Sequence, residues 1–352
     1  MKKDSVTDMA ATAPLLLDWY DQNARLLPWR EDPSPYRTWI SEIMLQQTRV
    51  ETVIPYFEAF VAEVPHAAAL AALPDDRLLK LWQGLGYYSR ARNLKLAAQR
   101  IMERHGGQLP ASFEALRALP GLGDYAAGAV ASIAFGIKVP AVDGNVLRVF
   151  ARLTDLEDDI TLSASRRRLS EMVTTSLPEE RVGDYNQAIM DLGATICLPN
   201  GTPLCHHCPL VGVCAGFACG KAASLPRKSS PKARRTQQKT VFLITMMGKI
   251  VLRRRPSRGL LAGLWEPPTV DGTLDAGAAA LLLSQWGFSP HTLVEQPTAR
   301  HIFTHIEWDM TVWHAEVAPG QLPLSWEIAD KAALAARYPL PTAFHRSVAQ
   351  LD

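Results

Sequence analysis

The sequence predicts two domains of different class: an all-α domain over residues 1–220 and an α+β domain over residues 239–352. Three observations carry this. From about Ala13 to Cys219 the apolar residues recur at helical spacing and no alternating run reads as a strand. Residues 221–239 then hold seven Lys or Arg, no acid, and prolines at 226 and 231, the composition of a linker (boundary 221–238) and of a solvated tether. Beyond it the period changes to two. "TVFLITM" and "IVLRR" flank Met247-Gly248-Lys249 as a hairpin, and "HIEWDMTVWH" puts Ile306, Trp308, Met310 and Val312 on one face. Helices around 278–285 and 343–351 complete the second domain.

At 352 residues, 47% hydrophobic and 20% charged, the chain holds enough apolar material for two cores. A net charge of +2 means that affinity for a polyanion must come from a local patch. The uncharged runs are too short or too broken by prolines to span a bilayer of about 20 helical residues. Asp4, Asp8 and Asp18 interrupt any signal-peptide pattern after Met1-Lys2-Lys3, so a cytosolic, reducing setting is expected.

Within the helical half, Ser112 caps a helix with Phe113, Leu116 and Leu119 on its apolar face. The stretch "LPGLGDYAAGAVASIAFG" then begins a second helix without a capping side chain and closes it at Gly136. Helix, Pro-Gly-Leu-Gly, helix is a helix-hairpin-helix pattern. Glycines at 121 and 123 let a phosphate approach the backbone and the unpaired N–H groups of the second helix. A tight structural turn is the alternative; a dinucleotide or Walker loop is not, because the strand and the Gly-Lys-Ser/Thr are missing.

Two acids stand out. Asp143, in "PAVDGNVLRVFARL", reads on its own as the N-cap of the following helix. Glu42, in "WISEIMLQQTRV" with Trp39, Ile43, Gln46 and Val50 at helical spacing, reads on its own as a solvated surface residue. Four of the five cysteines follow the pattern Cys197-x7-Cys205-x2-Cys208-x5-Cys214. Four thiolates in one loop can bind zinc or an iron–sulfur cluster; with only one C-x2-C pair the spacing favours a 4Fe-4S cluster, while His206 and His207 keep zinc open. Cys219 reads as a buried free thiol.

Taken together, "LPWR", "SEIMLQQTRVETVIPYF", "GLGYYSRARNL", the hairpin, "VDGNV" and the cysteine loop resemble the MutY-type adenine DNA glycosylases of the helix-hairpin-helix superfamily, over nearly the whole chain. The resemblance implies an endonuclease III-like helical glycosylase domain with an iron–sulfur loop (4Fe-4S on Cys197, Cys205, Cys208 and Cys214), followed by a Nudix, MutT-like domain. It implies double-stranded DNA carrying A:8-oxoguanine or A:G mispairs as partner, no membrane association, a monomer, and a cytoplasmic location (on the nucleoid in a bacterium).

The same resemblance assigns roles. Glu42 matches the general acid and Asp143 the carboxylate that stabilises or traps the sugar cation. Tyr125 and Asn145 match residues orienting the acids and the water, and Tyr125 stands where strand-cutting relatives carry lysine. Arg25, Leu27, Trp29 and Gln187 match the adenine pocket, with Arg30 beside it. Gln47 and Tyr87 match side chains inserted into DNA, Gly121 and Gly123 the backbone grip, and Phe303-Thr304-His305 the reader of 8-oxoguanine. Three departures are visible. The middle residue of that reader is threonine where serine is usual. The first cysteine gap is seven where six is usual. "LPNGTPL" lacks the basic residues that relatives use on DNA. Between Glu266 and Glu295 the acids are Asp271 and Asp275 alone, so no REx2EE box exists and the second domain should bind without hydrolysing.

Overall fold

The computed structural model describes residues 9–230 and 233–351. The start Met1-Lys2-Lys3, Asp4, Asp8 and the linker's Pro231 lie outside them. By its contacts the chain divides into two compact units, Met1–Ala72 with Arg92–Ser230, and Leu73–Ala91 with Pro231–Asp352. Residues 73–91, expected with the helical domain, thus group with the sheet. Among the described residues no helix is long and apolar enough to cross a membrane.

In the first unit no strand occurs among the described residues. Ser112 caps Phe113–Arg117 by accepting from Ala115 N–H, and Asp124–Phe135 starts on Gly123 with no side-chain cap. Gly136, at φ +66°, ends that helix in the left-handed conformation glycine favours. The Asp124–Phe135 helix is buried along Ala126–Ser132, and small residues let its neighbours approach. At Gly128 the approach is closest: an added Cβ would lie 2.2 Å from the Pro140 carbonyl oxygen. The helices Gly144–Leu153, Ser163–Ser176 and Val182–Thr195 enclose a core of Val146, Phe150, Leu169, Tyr185, Ile189 and Leu192.

Residues 221–229 are not a free tether. Ala222 and Leu225 are buried, Arg152 donates to the Leu225 carbonyl at 2.8 Å, and Lys221 pairs with Asp155 and Glu157 at 3.0 and 2.6 Å. Arg227 also pairs with Glu157. The cations that suggested solvation meet an acidic loop instead.

The second unit is built on a seven-stranded sheet: β1 (Arg235–Met246), β2 (Lys249–Arg254), β3 (Trp265–Glu266), β4 (Thr269–Asp271), β5 (Pro290–Ile302), β6 (Ile306–Val317) and β7 (Trp326–Ala329). The main order is β3-β2-β1-β6-β5, with β4 on β1 and β7 on β2. β1 starts inside the expected linker because residues 235–238 already pair, in parallel, with Ile306–Asp309 of β6. The hairpin turn at Met247-Gly248 has positive φ at both residues, as a tight β-turn requires. Ile306, Trp308, Met310 and Val312 do share one core, against Val241, Leu243 and Phe344. The only acid of the "LWEPP" stretch, Glu266, is fully buried between Arg253 (2.8 Å) and Arg255, a structural ion pair.

Gly128→Ala should lose about 1–3 kcal/mol of stability by overpacking against Pro140, read as a lower denaturation midpoint, whereas Gly123→Ala, which has nothing within 4 Å, should not.

Candidate active site in the helical unit

The helix Pro35–Leu45 begins with Ser34 accepting from Arg37 N–H and ends at Leu45, so Gln46 and Val50 are not part of it. All of Tyr36 and Thr38–Met44 are buried, because the helix is covered on more than one side. Glu42 is therefore not a surface residue: it is 5% exposed. Its carboxylate accepts from the Tyr125 hydroxyl at 2.6 Å. Burial pushes its pKa up from 4.5 to about 7; the Tyr125 hydrogen bond pulls it down, and the Asp143 carboxylate pushes it further up. Burial and the same two acids raise the Tyr125 phenol well above its ordinary value, so it stays protonated and donates. The Tyr125 hydroxyl also stands 3.8 Å from the Met190 sulfur.

Asp143 is the N-cap of Gly144–Leu153, as its position suggested: one oxygen accepts from Val146 N–H at 2.8 Å and the other from the Asn145 amide at 2.9 Å. Burial raises its pKa, and the hydrogen bonds from Val146 and Asn145 and the charge of Arg148 hold the rise back. Asn145 is fixed in turn by Arg148, which donates to its oxygen at 2.9 Å and to the carbonyls of Gly193 and Cys197 at 2.7 and 2.8 Å. One chain of hydrogen bonds thus runs from Asp143 to the backbone of the first cysteine.

Arg25, Leu27, Trp29, Arg30, Glu42, Tyr125, Asp143, Asn145 and Gln187 all line one open cleft of about 380 Å³. Nine candidates from five stretches of sequence therefore meet. The cleft also holds residues the sequence reading passed over, Glu51 and Met190 among them. The most consequential residue passed over does not line the cleft but holds two that do: Asp191, whose side chain is fully buried, receives Arg25 at 2.6 and 2.8 Å and Arg30 at 2.8 and 3.1 Å. Burial would raise the Asp191 pKa, but the two guanidiniums lower it below its ordinary value. Asp191 follows Gln187 by four residues on the helix Val182–Thr195, which puts the two side chains on one helix face.

The cysteines lie on the loop after Val182–Thr195, and Cys197, Cys208 and Cys214 pack against the helical core. Arg152 donates to the Cys197 sulfur at 3.2 Å. Burial pushes the Cys208 thiol up to about 12. Among the described residues no three Cys, His, Asp or Glu side chains stand together as around one metal ion; in a four-iron cluster each cysteine instead binds its own iron. His206 and His207 are exposed, and so is Cys219, which is not the buried thiol expected.

Gln47 (φ +58°) and Tyr87 (φ +46°) each adopt the left-handed conformation, uncommon for such side chains. Gly121 is required by the fold itself, at φ +81° with an added Cβ 2.8 Å from Asn93, while Gly123 faces open space. In the second unit, Phe303-Thr304-His305 forms the turn between β5 and β6. Phe303 packs edge-on to Trp308 at 4.9 Å, and the Thr304 hydroxyl is 2.5 Å from that of Tyr87.

Comparison with known proteins bears directly on this cleft. Residues 40–175 match the HhH-GPD superfamily of base excision DNA repair proteins, and residues 240–350 the NUDIX domain. The chain is 34% identical over 398 residues to the adenine DNA glycosylase of Rattus norvegicus, covering 94% of this chain and 77% of the relative. The chain belongs to the adenine DNA glycosylase family. It is 34% identical over 380 residues to the Homo sapiens member, covering 91% of this chain and 69% of that one. A thermostable thymine-DNA glycosylase shares the fold of 60% of the chain, with 97% of that structure covered, a TM-score of 0.54 and 28% identity. As a member of the adenine DNA glycosylase family, the protein is a base excision repair enzyme with an endonuclease III-like helical domain and a Nudix domain.

Asp191→Ala should strand two half-buried guanidiniums and cost about 3 kcal/mol, measured by chemical denaturation, with Asp191→Asn losing less.

Proposed function

We propose that the enzyme removes adenine opposite 8-oxoguanine or guanine by hydrolysing the N-glycosidic bond, without cutting the strand. The observation that carries the reading is Glu42: a buried carboxyl with a pKa of about 7, beside Tyr125 and Asp143 in one cleft. The names of its relatives support adenine as the base.

An adenine must leave the duplex to reach this cleft, at a cost of a few kcal/mol. Gln47 and Tyr87 would fill the space it leaves, and Arg25, Leu27, Trp29, Arg30 and Gln187 would bind the extruded base. Asp191 holds the two arginines of that set in place. Glu42, protonated near neutral pH, gives its proton to a ring nitrogen of adenine, turning it into a leaving group. Loss of the base leaves an oxocarbenium-like sugar. Asp143, with hydrogen bonds from Val146 and Asn145, stabilises that cation until water adds, a division of labour between two carboxyls like that of glycoside hydrolases. Tyr125, a phenol with a raised pKa, offers no amine for a Schiff base with the sugar; this supports hydrolysis without strand scission.

The amides at Gly121 and Gly123 would take a DNA phosphate, and the Phe303-Thr304-His305 turn with Tyr87 would read the opposite base. Cys197, Cys205, Cys208 and Cys214 fit a 4Fe-4S cluster: the guanidinium of Arg152 beside Cys197 suits a thiolate, and three of the four sulfurs pack on apolar core. When bound, the cluster supplies iron–thiolate bonds that fix the loop.

The test is a base-release assay on duplexes with adenine opposite 8-oxoguanine, guanine or thymine. Adenine release with the first two, and strand breaks only after alkali, are expected. Breaks without alkali, or release of thymine in place of adenine, would overturn the reading. The purified enzyme should be brown and contain iron and sulfide; zinc alone would remove the cluster from it.

Glu42 must be protonated to act, so the rate should fall as pH rises through about 7. Glu42→Gln should lose roughly 100-fold or more in base release while still binding the mispair in a gel-shift assay.

A further inference from the structure

The second unit contains another cleft, of about 290 Å³, lined by none of the residues discussed as DNA readers. Pro74, Asp76, Arg77 and Lys80 form one wall, and Trp265, Glu327, Ala336, Arg337 and Tyr338 the other. Trp265 is 4% exposed, and its indole N–H is buried with no hydrogen-bond partner among the described residues. A buried donor left unpaired costs about 1–3 kcal/mol, which an acceptor brought by a ligand would offset.

The charged groups of this cleft indicate what kind of acceptor. Both acids are engaged: Asp76 pairs with Arg254 at 2.8 Å, and Glu327 accepts from the Tyr338 hydroxyl. The Lys80 ammonium gives two hydrogen bonds, to the carbonyls of Leu334 and Tyr338 at 3.1 and 3.2 Å, and has a third N–H to give. The Arg337 guanidinium lies over the Tyr338 ring at 5.6 Å, and a guanidinium stacked in this way keeps its N–H edge for an anion. Arg77 adds a third cation. Cationic N–H donors, one neutral indole N–H, and apolar surface from Pro74 and Ala336 match a phosphate ester carrying an organic body. The volume lies at the small end of ligand pockets, right for one nucleotide and too small for a longer strand segment.

We infer that this cleft binds the phosphate of a single nucleotide unit, through Lys80, Arg337 and the Trp265 indole N–H. The unit is either a free nucleoside monophosphate or one residue of a DNA backbone; the phosphate chemistry is common to both.

Calorimetric titration of the full-length enzyme with TMP tests this, a pyrimidine nucleotide being chosen so that the adenine-binding cleft of the helical unit does not report. Saturable binding is expected, competed by inorganic phosphate and not given by thymidine. Arg337→Ala, on an exposed side chain, should weaken TMP roughly tenfold, the effect of losing one charge-assisted hydrogen bond. Trp265→Phe, which removes the N–H and keeps an aromatic ring, should weaken it several-fold. Neither variant should slow base release. Displacement of TMP by an undamaged duplex oligonucleotide would make the DNA backbone the source, and persistence of TMP binding alongside duplex would make it a free nucleotide. No TMP binding at about 1 mM, or equal binding by wild type and both variants, would overturn the proposal.

Discussion

A carboxyl group removed from water is the constraint around which the helical unit is arranged. Glu42 sits on a helix whose other neighbours in sequence are also buried, so no rotation of that helix could return the acid to solvent. A charged carboxylate there is costly, and the structure answers the cost with one neutral phenol hydrogen bond and only a lesser pull from the charge of Arg30. The result is an acid near its own midpoint at neutral pH. Asp143 receives the opposite treatment: a helix N-terminus, an amide and a nearby guanidinium. Two like groups in one cleft are thus made unlike by what they touch.

The arginines of the same cleft obey a stricter logic. Arg25 and Arg30 converge on one buried aspartate in a geometry that uses both of its oxygens. For Arg30, burial works against the charge and Asp191 outweighs it. Such a triad adds little net stability compared with apolar packing, but it fixes where two flat, donor-rich groups stand.

How much of this was legible in the sequence differs by residue and for physical reasons. Asp143 was legible as an N-cap because capping is local: one side chain, one helix start. The β6 face was legible because alternation is local too. Glu42 read alone as a surface residue, since the helices that bury it come from distant sequence; only its surrounding motif marked it. Asp191 was invisible because a single acid in "NQAIMDLGA" carries no sign of two arginines arriving from 161 and 166 residues away. β5 went unread because its exposure pattern lacks alternation and a bulge interrupts it near Pro297. The basic segment after residue 220 misled for the same reason as Glu42: composition records charge, and the acids that neutralise it lie elsewhere.

The middle of the sheet in the second unit is a parallel pair whose members begin 71 residues apart, at Arg235 and Ile306. A ribosome must therefore add residues 247–317 before β1 can meet its principal neighbour along its full length. Until then the β1–β2 hairpin presents an open apolar edge. The sheet of this unit thereby assembles only after the residues of the helical unit have emerged, which gives that unit time to complete itself first.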